Sequence, residues 1–481
     1  MNRYLVMTAA VGLTGMAVLT GSSAGARTLA VAATQGTWRT AVEVPGSAAL
    51  NQGGDAGIAS VSCASPGNCS GGGFYATGPG LARTLHAFVV SEVRGSWGKA
   101  VEVPGTAALN TGGDAEIHSV SCASAGNCGA GGFYTDRSHR AQAFVVSQVK
   151  GAWGKALEVP GTAALNTGTA WINAVSCASP GNCAAVGFYT ARSGNQGFVV
   201  SQVGGIWGKA RQMPSATLNA SGGGFIYSVS CASAGNCSAG GTYADKAART
   251  QAFVVSQVKG IWGKPIEVPG TAALNVGGAA IIDSVSCKSA GNCGAGGYYA
   301  DKSGRSRPFV VSQVRGIWRK AEQVPGTAAL NIVGNAEIIS LSCASAGNCA
   351  AGGFYTGRSG TQAFVVSQVA GVWRRAVQVP GSAALNVGRQ AQISSVSCAS
   401  AGNCGAGGYY TDKAGKWQPL VVSDVRGTWG KAQAVPGSAA LNRGGYAGVS
   451  SVSCGAAGNC GAVGFYTDRA GGWQVFVVNQ R

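Results

Sequence analysis

The residues best spaced for chemistry in this 481-residue chain are sixteen cysteines in eight Cys-x5-Cys pairs: Cys63/Cys69, Cys122/Cys128, Cys177/Cys183, Cys231/Cys237, Cys287/Cys293, Cys343/Cys349, Cys398/Cys404 and Cys454/Cys460. Two thiols so close along a chain either bridge or share a metal ion. Zinc sites draw on two such pairs or on added histidine, and the three histidines, His86, His118 and His139, sit in unrelated settings. The pairs therefore read as eight disulfides. Each closes a small loop at the mouth of a hairpin, contributes about 2 kcal/mol through loop entropy and is expected to act mainly as a local staple. Together they imply an oxidising compartment. No metal and no cofactor is expected.

A second set keeps step with the cysteines. An asparagine closes each Ala-Leu-Asn or Thr-Leu-Asn, a tyrosine follows the second cysteine, and a cation stands in the next turn. Amide, phenol and cation converging between repeats would bind a sugar ring or an anionic group by hydrogen bonding and stacking. The candidate ligand residues are Asn110, Tyr134, Arg137, Asn166, Tyr189, Arg192, Asn275, Tyr299, Lys302, Asn442, Tyr466 and Arg469. The competing reading is that Asn stops a helical turn, Tyr packs between repeats and the cation is solvated. A further basic set, Lys99, Lys155, Lys209, Lys264, Lys320, Arg375 and Lys431, lies two residues past a recurring tryptophan. It reads both as protection of an exposed strand edge and as a cationic belt. The recurring tryptophans suit wedges between neighbouring repeats. Trp417 and Trp473 fall outside that pattern and are the candidates for exposed aromatic contacts.

Enzyme chemistry finds no support in the residues. The nine aspartates and eight glutamates are scattered, the histidines are ill placed for a serine triad, and no copy stands out as rich in polar groups.

The elements that must position these residues follow from the spacing of the cysteines, a period of about 56 residues that signals a repeat architecture. In the copy from 115 to 160, the alternating Ala115–Cys122 reads as strand a, and Cys128–Tyr134 as strand b. The β-branched run Gln142–Val149 is strand c, and a strand d carries Trp153, Lys155 and Leu157. A single helical turn is expected at Thr-Ala-Ala-Leu. Strand d appears first, alone, at Trp38, while the last copy stops after strand c at Phe476-Val477-Val478. This phasing predicts an all-β fold: a single eight-bladed β-propeller of four-stranded antiparallel blades over 37–481, closed by the N-terminal Trp38 strand. An open array is the alternative.

Ser423-Asp424-Val425-Arg426-Gly427-Thr428-Trp429 resembles a degenerate Asp-box turn of sialidase-type propellers, without Asp at the third position and one residue short before Trp. It is also similar to the tryptophan-docking turns of eight-bladed quinoprotein dehydrogenases. The whole unit resembles uncharacterised Cys-x5-Cys repeats of proteins secreted by actinobacteria. The first two resemblances imply a propeller, and the third implies an envelope or extracellular setting.

The N-terminus carries Arg3, the apolar run Tyr4–Leu19 and small residues to Ala26, which reads as a signal peptide over 1–26 followed by a short linker over 27–36. No later stretch is long and apolar enough for a membrane span. A net charge of +18 draws an extracellular protein to anionic polymers. The expected function is a secreted, non-catalytic binding propeller, monomeric, extracellular or wall-associated. It would engage a repetitive cell-surface polyanion or glycan, without specific nucleic-acid recognition. A protein-interaction scaffold is the alternative, and a degenerate glycoside hydrolase or quinoprotein-like enzyme comes third.

Overall fold

Alternation and β-branching produce the expected strands. In the second repeat these are Ala115–Ser124 (a), Asn127–Thr135 (b) and Ala141–Val149 (c), paired in the order a-b-c with d on the outside. Phe144, Val145 and Val146 of strand c are buried between blades. The computed structural model describes residues 36–213 and 218–481; the segment 1–26 read above as a signal peptide and all but residue 36 of the expected linker fall outside them. The described chain is an eight-bladed β-propeller with antiparallel blades. The expected helical turn is present at Thr106–Leu109 and its counterparts, except in the fourth copy, where 214–217 lie outside the described residues.

All eight expected disulfides are formed, each joining directly opposed residues of strands a and b, with Cα atoms 3.9–4.1 Å apart. Their surroundings differ from the expectation of a merely local staple. The strand-b cysteines Cys69, Cys128, Cys183, Cys237, Cys293, Cys349, Cys404 and Cys460 are all buried, each within an apolar cluster built from two neighbouring blades. Cys63, Cys122, Cys177, Cys231 and Cys454 of strand a are half-buried, whereas Cys287, Cys343 and Cys398 are buried as well. In every copy the strand-b residue of the preceding blade that faces the bridge is small: Gly129, Gly294, Gly405 or Gly461 in four joints, and Ser70, Ala184, Ser238 or Ala350 in the others. A methyl group on Gly461 would lie 3.0 and 3.3 Å from the sulfurs of Cys63 and Cys69, and one on Gly405 would lie 3.0 Å from those of Cys454 and Cys460. The Cys293 sulfur stands 3.5 Å from the Ser238 hydroxyl of the preceding blade. The bridges are thus core residues of the joint between blades, in addition to closing their own hairpins.

Strand d also differs from expectation. It is split into two short pieces, Ala152–Trp153 and Leu157–Glu158 in the second blade, both paired with strand c. Between them the Ala156 N–H leaves its own sheet and donates to the Pro104 carbonyl of the neighbouring blade at 2.7 Å. The same bond joins Ala100 to Pro45, Ala210 to Pro160, Ala321 to Pro269, Ala376 to Pro325, Ala432 to Pro380 and Ala41 to Pro436. In the fourth blade the donor position is Pro265, which has no N–H to give.

The Ser-Val-Ser-Cys segment has a role that alternation alone does not reveal. Strand a is the innermost strand, and its free edge presents N–H groups that need partners. The two serines of one blade supply them to the next: Val120 and Cys122 donate to Ser60 and Ser62 at 3.0 and 2.9 Å, and Val175 and Cys177 donate to Ser119 and Ser121. Ala174 replaces one serine, so of the two serine bonds that joint keeps the one from Cys231 to Ser176, while the Asn173 amide donates to the Ile226 carbonyl at 2.8 Å. Val61 and Cys63 of the first blade donate to Ser451 and Ser453 of the eighth.

The leading segment pairs with the last blade. Val42–Glu43 lies antiparallel to Trp473–Asn479, in register Val42↔Val477 and Glu43↔Phe476. Thr37, Arg39 and Val44 N–H groups donate to the carbonyls of Arg481, Asn479 and Val475 at 2.8–3.0 Å. Trp38, Ala41 and Val44 are buried there. This segment occupies the place that strand d holds in the other blades.

Candidate functional site

The candidate asparagines and tyrosines are engaged inside the blades. Asn166 donates to the Ala141 carbonyl at 2.8 Å and to Gln142 Oε1 at 3.0 Å, and accepts from the Gly168 N–H. Asn275 donates to the Thr250 carbonyl and Gln251, Asn442 to the Trp417 carbonyl and Gln418, and Asn110 to the Leu85 carbonyl. Each thus ties the loop after its helical turn to strand c of the preceding sheet. Tyr134, Tyr189, Tyr299 and Tyr466 are all buried. The Tyr134 hydroxyl donates to Glu158, that of Tyr466 to Glu43 and that of Tyr189 to Gln212. Burial, followed by the hydrogen bond and charge of Glu158, pushes the Tyr134 phenol well above its ordinary range. Of the candidate trio, the cations Arg137, Arg192, Lys302 and Arg469 alone are exposed. The structure therefore separates them from the amides and phenols.

The turn between strands b and c explains how three of those cations, Arg137, Lys302 and Arg469, are displayed. Asp136 Oδ1 accepts the N–H groups of Ser138 and Arg140 at 2.8 and 3.1 Å, and Oδ2 accepts from Gln142 at 2.8 Å. Asp245, Asp301, Asp412 and Asp468 repeat this turn. Burial raises Asp136, but the hydrogen bonds from Gln142, Arg140 and Ser138 outweigh it and hold the carboxyl below its usual range. The acid faces into its own turn and the basic side chain beside it faces outward. The carboxylates of Glu43, Glu102, Glu158 and Glu267 each accept a tyrosine hydroxyl. The exposed charge on this end of the propeller is therefore mainly positive.

On that same end, blades seven and eight carry an aromatic strip. Tyr409 and Trp417 stack at 4.2 Å with an interplanar angle of 5°. Trp417 meets Tyr446 edge-on at 6.1 Å, Tyr446 meets Trp473 at 6.3 Å, and Trp473 meets Phe465 at 5.3 Å. Tyr446 is 51% exposed and Trp473 38%. Trp417 and Trp473 open strand c in their blades, and the Trp417 N–H donates to the Gly445 carbonyl at 2.9 Å, which sets Tyr446 between them. Lys413, Lys416, Arg443 and Arg469 are exposed around the strip, and the Lys416 stem lies over Gly445. The spacing suits successive sugar rings stacking on aromatic faces with anionic substituents held by the flanking cations. Trp417 and Trp473 are legible in the sequence as exceptions to the repeat. Tyr446 is not among the sequence candidates, although its position holds Asp55, Asp114, Thr169, Ala279, Asn335 and Gln390 in other copies, which is the available signal.

Inner strands carry a second irregular group. Phe133 stacks on Trp171 at 4.9 Å, and Trp171, Phe188 and Phe225 continue the arc. Beyond it, burial and then the charge of Glu337 push Asp283 up to about 7. Burial also raises Glu337, and it raises Asp424 to about 6. A carboxyl raised in the folded state holds its proton more tightly folded than unfolded. Its contribution is fully present below the unfolded value near 4 and is lost as pH rises through 6 to 7. Thermal melting is accordingly expected at a higher temperature at pH 5 than at pH 7.5, and Asp283→Asn should flatten the dependence. A melting temperature that climbs over this interval in both proteins would refute the assignment.

No protein-family model matches the chain, and no curated protein matches it. Among solved structures, Sqt1 from Chaetomium thermophilum superposes with a TM-score of 0.51 at 14% identity, covering 92% of this chain and 100% of that one. The likeness shows the fold alone. The Chaetomium thermophilum Sqt1 structure bound to the N-terminus of ribosomal protein L10 gives 0.49 at 15% identity, covering 89% and 98%. A PL25 ulvan lyase gives 0.40 at 10% identity, covering 73% and 89%.

Proposed function

We propose that this protein is a secreted, non-catalytic binding propeller for an acidic polysaccharide or similar anionic polymer of the cell surface. The observation that carries the reading is the strip Tyr409–Trp417–Tyr446–Trp473 with Lys413, Lys416, Arg443 and Arg469 beside it. Arg137, Arg192, Lys302 and Arg469 extend the positive end around the blades. A long polymer would reach several of these weak contacts at once and gain through avidity. Eight disulfides suit the oxidising exterior. In this reading the pairing of the leading segment with Trp473–Asn479 closes the ring, and so holds the strip on the eighth blade rigid.

The charge component is tested by retention on immobilised polygalacturonate across a salt series. Retention is expected to fall steeply as ionic strength rises, because exposed charges are screened over roughly 10 Å at 0.1 M. Reversing Lys413, Lys416 and Arg443 to glutamate should remove most of it. No retention at low salt, or retention unaffected by the reversal, counts against the reading.

A second reading, a protein-interaction scaffold, has one observation in its favour. The outer hairpins of blades three to six show exposed apolar pairs, Val203 opposite Ile206 (77% exposed), Val258 opposite Ile261, Val314 opposite Ile317 and Val369 opposite Val372. Blades one, two and seven place Ser96, Ala152 and Thr428 there.

A further inference from the structure

The residue that follows the Phe-Val-Val-Ser stretch of strand c, or its equivalent, seals the groove between neighbouring blades on the disulfide-bearing end. In six blades it is glutamine. Gln148, Gln202, Gln257, Gln313, Gln368 and Gln480 each donate their amide to a serine hydroxyl of the preceding blade at 2.8–3.1 Å. In the first blade it is Glu92, which takes a hydrogen bond from Asn479 at 2.6 Å and an ion pair from Arg481 at 3.2 Å. The seventh blade departs from both solutions. Asp424 is one methylene shorter and has no N–H to offer Ser367, whose hydroxyl accepts from Trp429 Nε1 at 3.1 Å, as Ser147, Ser201 and Ser256 accept from their tryptophans in addition to a glutamine amide.

Asp424 is only 3% exposed, and its Oδ1 has no hydrogen-bond partner. The groove it lines, with Asn348, Ser367, Gln368 and Arg426, holds a cavity of about 370 Å³. Equivalent grooves sealed by glutamine hold about 230 and 260 Å³, and the one sealed by Glu92, Asn479 and Arg481 about 10 Å³. A buried carboxylate oxygen without a donor is unfavourable unless a cation or donor reaches it. Asp424 is the sole acid in the lining, which leaves a divalent metal short of anionic ligands. The shape and charge instead fit one compact monovalent donor.

We propose that the groove between blades six and seven binds a primary ammonium group on the Asp424 carboxylate. The group is of the size borne by a lysine side chain or a small alkylamine. Its three N–H donors meet Oδ1 and the hydroxyl of Ser367. Arg426, the other ionisable residue of the lining, is exposed and disfavours ligands carrying more than one positive charge. This site is independent of the polymer-binding strip on the opposite end.

Ligand-observed NMR on the full chain with ethylammonium chloride, against ethanol as the neutral isostere, tests the site. Saturable binding of ethylammonium is expected, with a dissociation constant on the order of 1 mM for so small a ligand, and none of ethanol. Asp424→Asn keeps the shape and Asp424→Gln restores the residue of six other blades. Both should fold, and both should lose binding at least tenfold. Burial pushes Asp424 up to about 6, so binding should weaken on passing from pH 7.5 to pH 5. Absence of saturable binding, binding of ethanol equal to that of ethylammonium, or unchanged affinity in Asp424→Gln would each overturn the proposal.

Discussion

Deleting the chain up to Val44 is expected to leave a propeller that melts about 10 °C lower or more, or that fails to fold. The lost segment contains the buried Trp38, Ala41 and Val44 and the main-chain bonds to Arg481, Asn479 and Val475. Truncating one buried tryptophan costs about 3–5 kcal/mol, a large part of the roughly 5–15 kcal/mol that stabilises an ordinary domain. The exposed edge of Trp473–Asn479 would also offer unpaired groups to other chains, so aggregation should accompany the loss. Adding a synthetic peptide of residues 36–45 should recover part of the stability. A truncated protein with the melting curve of the full chain would show that the two ends do not support each other.

The second large effect is expected at Gly132→Ala. Strand a bulges between Ile117 and Ser119, and this brings the Glu116 carbonyl so close to Gly132 that an added methyl carbon would lie 1.8 Å from the oxygen. The obstacle is backbone, which cannot swing aside as a flexible side chain can. Overpacking of this kind typically costs about 1–3 kcal/mol, and backbone displacement in a central strand should take it to about 3 kcal/mol or more. Gly151→Ala is the control. Its φ of +87° disfavours a side chain, but nothing stands within 4 Å, so its cost should be about 1 kcal/mol. Equal destabilisation of the two variants in denaturant unfolding would contradict the steric argument.

Much of the fold is legible because its signals recur. The cysteine spacing reveals both the blade period and the bridges, and the solitary Trp38 indicates how the chain is phased. What escapes is relational. The spacing of Cys69, Cys293 and Cys460 from their partners announces a bridge within one hairpin, but their burial against the preceding blade depends on how two blades meet. The split of strand d depends on a partner for the Ala156 N–H in another blade, and the Ser-x-Ser bonds depend on a free inner edge that exists only once blades stand side by side. The asparagine and tyrosine series also recur, but their regularity reflects a structural need repeated in each blade, such as the Asn166 bonds to Ala141 and Gln142. The more distinctive features are single departures from the pattern: Tyr446 where other blades carry small or polar residues, and Asp424 where six carry glutamine. Reading a repeat as a consensus hides such residues. Trp417 and Trp473 stand out because a bulky aromatic is conspicuous even against a regular background.

Isothermal titration of polygalacturonate into the intact protein and into the double variant Tyr446→Ala/Trp473→Ala, at fixed ionic strength, tests the proposed binding face most directly. Stacking contacts of about 0.5–1.5 kcal/mol each predict that affinity drops roughly tenfold or more while the melting temperature stays near that of the parent. Equal affinity in the two proteins, with the fold intact, would place the polymer elsewhere and contradict the account.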